Sequence, residues 1–201
     1  MTSGLLPHAN DFAHRSKMHG QDHVARVMVH AFRLIAATHR PAEASRLWAA
    51  VYLHDLSRTH DGECHRHGAD AVRRLHATRA LRTHLEAGGV QSSDWSAIEL
   101  AVTVHCMPSG HEPQATHPYW PLVALLKDAN ALDRVRFGPV DPAGFHLPES
   151  AGMLDFAQAL YEESHTLVPD GIDVFDRVLE HARRLSGEPI PVPPAVTRAV
   201  R

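Results

Sequence analysis

Leu47-Trp-Ala-Ala-Val-Tyr-Leu-His-Asp-Leu56 is the stretch on which the reading of this chain turns. It holds an unbroken apolar run, Leu47 to Leu53, with no glycine or proline inside. Pro41 stands six residues ahead, where a proline suits a first helical turn. The run therefore reads as a buried helix from Pro41 to about Leu56. Its end carries His54-Asp55, and a charged pair on a buried helix is costly unless it is paired or binds a metal. By spacing alone, a helix-end ion pair accounts for it as well as a ligand pair does. A second His-Asp, His60-Asp61, lies in the polar turn 57–63 and requires nothing special.

Helical spacing continues on both sides. Val24, Val27, Met28, Ala31, Leu34 and Ile35 form a stripe that predicts a helix over 22–38. A third helix is expected over 65–85, stopped by Gly88-Gly89. Ser93 or Asp94 would cap another that runs to Val104. Further helices are expected at about 120–135, 149–165 and 169–185, with Trp48, Trp95 and Trp120 in the core. There is no internal repeat and no convincing strand pair. The expected fold is an all-α bundle of six to eight helices forming one domain over 1–186. An extended Pro-rich tail, 187–201, follows it.

Composition narrows the function. The 201 residues suit one domain, and 44% hydrophobic against 21% charged residues excludes disorder. No apolar run approaches the roughly 20 residues of a membrane span, and the first fifteen residues do not read as a secretory signal. A net charge of −3 argues against a nucleic-acid binder. Two cysteines, Cys64 and Cys106, cannot build a disulfide scaffold. The expectation is a cytoplasmic protein. Its 18 histidines would add 18 positive charges if all were protonated, so acid should change its surface greatly. They are dispersed rather than run together, so their positions matter.

Around His54-Asp55 those positions form a pattern. His23-x-x-Arg26-Val27 opens a helix, His67 follows His54 by thirteen residues, and His105 ends an apolar helix. Leu126-Lys-Asp-Ala-Asn-Ala-Leu132 lies on another helix. In this order, over about 17–136, the chain resembles the HD superfamily of metal-dependent phosphohydrolases. His67 and His105 are similar to the two-metal branch of that superfamily. The resemblance implies an HD-domain-like bundle holding one or two divalent transition metals, Fe, Mn, Co, Ni or Zn. One metal would take His23, His54, Asp55 and the residue at 130. The other would share Asp55 and add His67 and His105. Two such ions activate water and clamp a phosphoryl oxygen, which suits a small phosphorylated substrate.

Arg58 and Lys127 are the expected phosphate-holding catalytic side chains beside Asp55, with His19 and Arg134 as further substrate-binding candidates. One departure falls on a ligand, because Asn130 stands where the family pattern has aspartate. Asp128, about 200° away around the helix, is no simple substitute, whereas Asp133 lies near the same face. A weakened first metal position is expected. Two alternatives remain open: a diiron oxygenase acting on a phosphonate or polyol, and a degenerate fold that binds without turnover. Cys106 reads as packing, and Cys64 near His65 and His67 lacks a fourth ligand nearby. His111 and His117 could border a substrate mouth. A homodimer also stays open, since the tail from Glu188 could lie on a partner chain.

Overall fold

Helix α1, Gln21–Ala37, is the axis of the molecule. It is buried on nearly every face, from His23 and Val24 through Phe32 to Ile35. A computed structural model of the chain describes residues 4–16, 18–165, 174–187 and 190. Among these, eight further helices follow α1: α2 (Ala44–Leu53), α3 (His67–Ala77), α4 (Arg79–Ala87), α5 (Trp95–Val104), α6 (Trp120–Leu132), α7 (Pro148–Ala151), α8 (Leu154–Ser164) and α9 (Val174–Ser186). No strand occurs among the described residues. Helices α2, α6, α8 and α9 pack around α1, which explains why its expected one-sided stripe is buried all round. Helix α3 packs on α5, and α5 on α2 and α6.

The all-α expectation holds, and two breaks raise the helix count. The stretch 65–85 splits at Thr78, which is extended at φ −120°, ψ 90°. Its carbonyl then starts α4 by accepting from Leu81 and Arg82 N–H. The stretch 149–165 splits after the single turn α7, at Gly152 and Met153. Two ends also differ in ways that serve the site. Helix α2 stops at Leu53, so His54 and Asp55 lie in a turn. Helix α6 stops at Leu132 and tightens into a 3-10 helix, Asp133–Phe137. The expected helix at 169–185 is seen from Val174, with 166–173 outside the described residues. Of the Pro-rich tail, Gly187 and the buried Ile190 are described; the rest lies outside them.

Trp48 and Trp95 are core residues as expected, but Trp120 is half-buried against the His146 ring, 5.4 Å between centroids. The Trp48 indole N–H donates to the Leu5 carbonyl at 3.0 Å. Ala13 N–H reaches Leu56 O at 2.9 Å, so residues 4–16 are strapped across α2. Among the described residues no helix is long and apolar enough to cross a membrane.

His30 is anomalous in this core. It is fully buried on α1, its ring meets Phe156 edge-on, and neither ring nitrogen has a hydrogen-bond partner among the described residues. Burial pushes its pKa down to about 4, with Asp133 pulling the other way. A folded pKa below the unfolded value of about 6.5 makes its contribution complete above pH 6.5 and progressively lost towards pH 4. Removing an unpaired buried polar ring should help. His30→Leu is expected to stabilise the fold by about 1–2 kcal/mol at neutral pH. It should also flatten the loss of stability between pH 6.5 and 4. Urea unfolding across that range checks both; a less stable variant with an unchanged pH slope contradicts the account.

Candidate metal centre

The Asp55 carboxylate is 4% exposed, with histidines gathered around both oxygens. On the Oδ2 side lie His19 Nδ1 at 3.0 Å, His23 Nε2 at 3.4 Å and His54 Nε2 at 3.6 Å. On the Oδ1 side lie His67 Nε2 at 3.1 Å and His105 Nε2 at 4.0 Å. One carboxylate thus stands between two groups of imidazoles. These come from the lead into α1, from α1 itself, from the turn after α2, from the start of α3 and from the end of α5.

The far sides of four rings fix which nitrogen faces inward. His54 Nδ1 lies 2.7 Å from Val51 O, His105 Nδ1 2.6 Å from Val102 O, and His67 Nδ1 2.9 Å from Cys64 O. A carbonyl only accepts, so each Nδ1 carries the proton and donates it. His23 Nδ1 donates to Asp133 Oδ2 at 2.7 Å. Asp133 is kept ionised, well below the usual carboxylate range despite burial, by Arg26 and by this histidine. Arg26 grips it through Nε at 2.6 Å and Nη2 at 3.2 Å.

The four Nε2 atoms therefore meet tip to tip: His23 and His54 at 3.2 Å, His67 and His105 at 3.0 Å. Two lone pairs at that distance repel unless a proton or a cation lies with them. Burial holds His54 down at about 4 and His105 well below the ordinary imidazole value, so both stay neutral. His67 differs. Burial opposes its charge, but the Asp55 hydrogen bond, with Cys106 and Asp55 adding, raises it to about 10. Without a metal, His67 supplies the positive charge beside Asp55, whose own pKa the histidines pull far down against burial. Buried imidazole and carboxylate donors so arranged could hold a metal ion.

Close helix packing sets the Oδ1 side. A Cβ at Gly68 would meet Val102 O at 2.1 Å and Thr103 O at 3.0 Å. Only glycine lets the first turn of α3 lie against the last carbonyls of α5, bringing His67 to His105.

A cavity of about 820 Å³ opens over Asp55. His23 and His54 lie beneath its floor, while His19, His67 and His105 reach its surface. Asn130 lines the wall; the acid that reaches His23 is Asp133, from behind the ring. Asp128 faces elsewhere, as its helical offset required. It accepts from the His146 and Leu147 N–H groups and from Ser150 Oγ, fixing the start of α7.

The candidate cations differ in availability. Arg58 is buried, lies 3.2 Å from His67 Nδ1, and donates to Gly62 O, while its Nε has no partner among the described residues. Lys127 lines the cavity, but its ammonium is tied to Glu112 at 2.5 Å, Met107 O at 3.1 Å and Val104 O at 3.4 Å. Lys127, expected to hold phosphate, thus has its ammonium against Glu112 in this structure. Arg134 is exposed at the rim.

Sequence reasoning missed three cavity residues. Arg136 is one: its Nη1 holds Asp133, and its Nε lacks a partner among the described residues. His146 is another, lining the cavity where neither His111 nor His117 does. Cys106, expected as packing, is half-buried and lines the cavity too.

No protein-family model, curated protein or solved structure matches this chain.

Gly68→Ala should force α3 away from α5, at a cost of about 1–3 kcal/mol. Metal-free thermal unfolding measures that cost. A variant with wild-type melting would contradict this geometry.

Proposed function

We propose that this chain is an HD-like, metal-dependent phosphohydrolase acting on a phosphate ester of a nucleotide or other small metabolite. The observation that supports it is the division of the Asp55 oxygens between two histidine groups. Each group turns imidazole nitrogens towards one oxygen. A first ion would be held by His23, His54 and Asp55 Oδ2, with His19 filling the place left by Asn130. A second would be held by His67, His105 and Asp55 Oδ1. Bound there, such ions supply the acidity that activates water and draws charge from a phosphoryl oxygen.

The remaining work falls to side chains. Asp55 sets the spacing of the two positions, and Asp133 keeps the His23 ring turned inward. Arg58 and Arg136 line the cavity and each bring a positive charge to phosphate oxygens. Arg134 attracts the anion at the rim. Lys127 shapes the wall by anchoring Met107 and Glu112 rather than by touching phosphate. Phe137, an exposed large hydrophobic residue lining the cavity 6.5 Å from the His19 ring, is suited to the uncharged part of the substrate.

Metal analysis of the native protein, combined with phosphate release from a panel of small esters with added manganese, tests this reading. The expected result is metal-dependent release that drops by about a hundredfold or more in His54→Ala and Asp55→Ala. Release that survives in both variants, or metal binding with no release from any ester, would sink it. Oxygen uptake by an iron-loaded protein, dependent on added phosphonate or polyol, would replace it with the oxidative alternative.

A further inference from the structure

The two metal positions are chemically unequal. Around Asp55 Oδ2 the donors are imidazole nitrogens alone. On the Oδ1 side a sulfur joins them: the ligand atoms of His67, His105 and Cys106 all lie within 4.8 Å of one another. Helix α5 ends at Val104, so His105 and Cys106 leave it in a turn, and both side chains reach the cavity. The Cys106 thiol donates one long hydrogen bond, 3.8 Å to Thr103 O. We propose that Cys106 supplies a thiolate to this second position, making it a tetrahedral His67–His105–Cys106–Asp55 site of zinc type.

The distances suit one ion. Zinc–nitrogen and zinc–sulfur bonds of about 2.0 and 2.3 Å in a tetrahedron put neighbouring ligand atoms roughly 3.3–3.6 Å apart. The His67–His105 nitrogens stand 3.0 Å apart, and Asp55 Oδ1 lies 3.1 and 4.0 Å from them. The Cys106 sulfur lies within 4.8 Å of both nitrogens, so small rotations about the side-chain bonds would bring these ligands into range. Both histidines already have their outer nitrogens tied to carbonyls, so their inward nitrogens are aimed before any ion arrives.

Sulfur then decides the ion. A thiolate with two imidazoles and one carboxylate favours zinc over the harder manganese or magnesium, whereas the Oδ2 position discriminates less. Zinc has no redox couple, so this position would not be the second iron of an oxygenase. Cys64 is placed differently: its carbonyl holds the outer nitrogen of His67, and among the described residues no group of three ligand atoms includes its sulfur.

The inference rests on the metal reading above, and cobalt separates the two. Titrating metal-free full-length protein with cobalt(II) should give the near-ultraviolet sulfur-to-cobalt band of a tetrahedral thiolate site. Cys106→Ser should lose that band and bind zinc more than about tenfold more weakly, while one cobalt remains on the Oδ2 side. Cys64→Ser should keep the band, and far-ultraviolet circular dichroism should confirm that both variants fold. Cobalt bound without the band, or a band that survives in Cys106→Ser, overturns the thiolate assignment alone. No cobalt bound by the wild type overturns the metal reading as well.

Discussion

A carboxylate with 4% of its surface exposed must be compensated, and here the compensation for Asp55 comes from imidazoles. No arginine or lysine pairs with it among the described residues; the nitrogens within reach belong to His19, His23, His54, His67 and His105. That choice has a structural cost. An imidazole neutralises a carboxylate only by holding a proton, and burial disfavours that proton on most of these rings. Metal-free, the cluster leans on His67. With cations at both oxygens, every ring could be neutral and the carboxylate fully paired. The arrangement could serve a metal ion as well as an ion-pair network.

The outer contacts show how far the fold is committed to this geometry. Arg26 and Arg136 hold Asp133, Asp133 holds His23, and three backbone carbonyls hold His54, His67 and His105. Each ring has one permitted tautomer and one direction. Gly68 adds the close approach of α3 to α5, without which the His67–His105 pair could not form. Side chains fixed in this way give little up on binding an ion, because the ordering cost is already met by the fold.

Much of this was legible in the sequence, for identifiable reasons. An apolar run ending in His-Asp marks a buried helix end, and His23, His67 and His105 each sit at a helix boundary that periodicity can locate. The 200° rotation correctly placed Asp128 away from the site, and three-residue spacing correctly brought Asp133 near it. What stayed hidden depends on irregular backbone. Thr78 breaks a helix although nothing in the apolar spacing marks it. The turn that sends Cys106 into the cavity begins where α5 ends, beyond the reach of a helical repeat. Arg136 is aimed by the tightening of the chain after Leu132. The Lys127 ion pair was invisible because its partner, Glu112, sits in a loop without period.

The contacts that meet at Asp55 are remote along the chain. His23 finds Asp133 across 110 positions, and His67 finds His105 across 38. Loops of that size close slowly and late, since their entropy is spent before any contact is made. The centre therefore exists only once α1, α3, α5 and α6 have docked, and partly folded chains have no version of it. Any ion it takes belongs to the folded state alone. Such an ion would act as a clasp on the bundle, setting how rarely the helices part as well as what happens in the cavity.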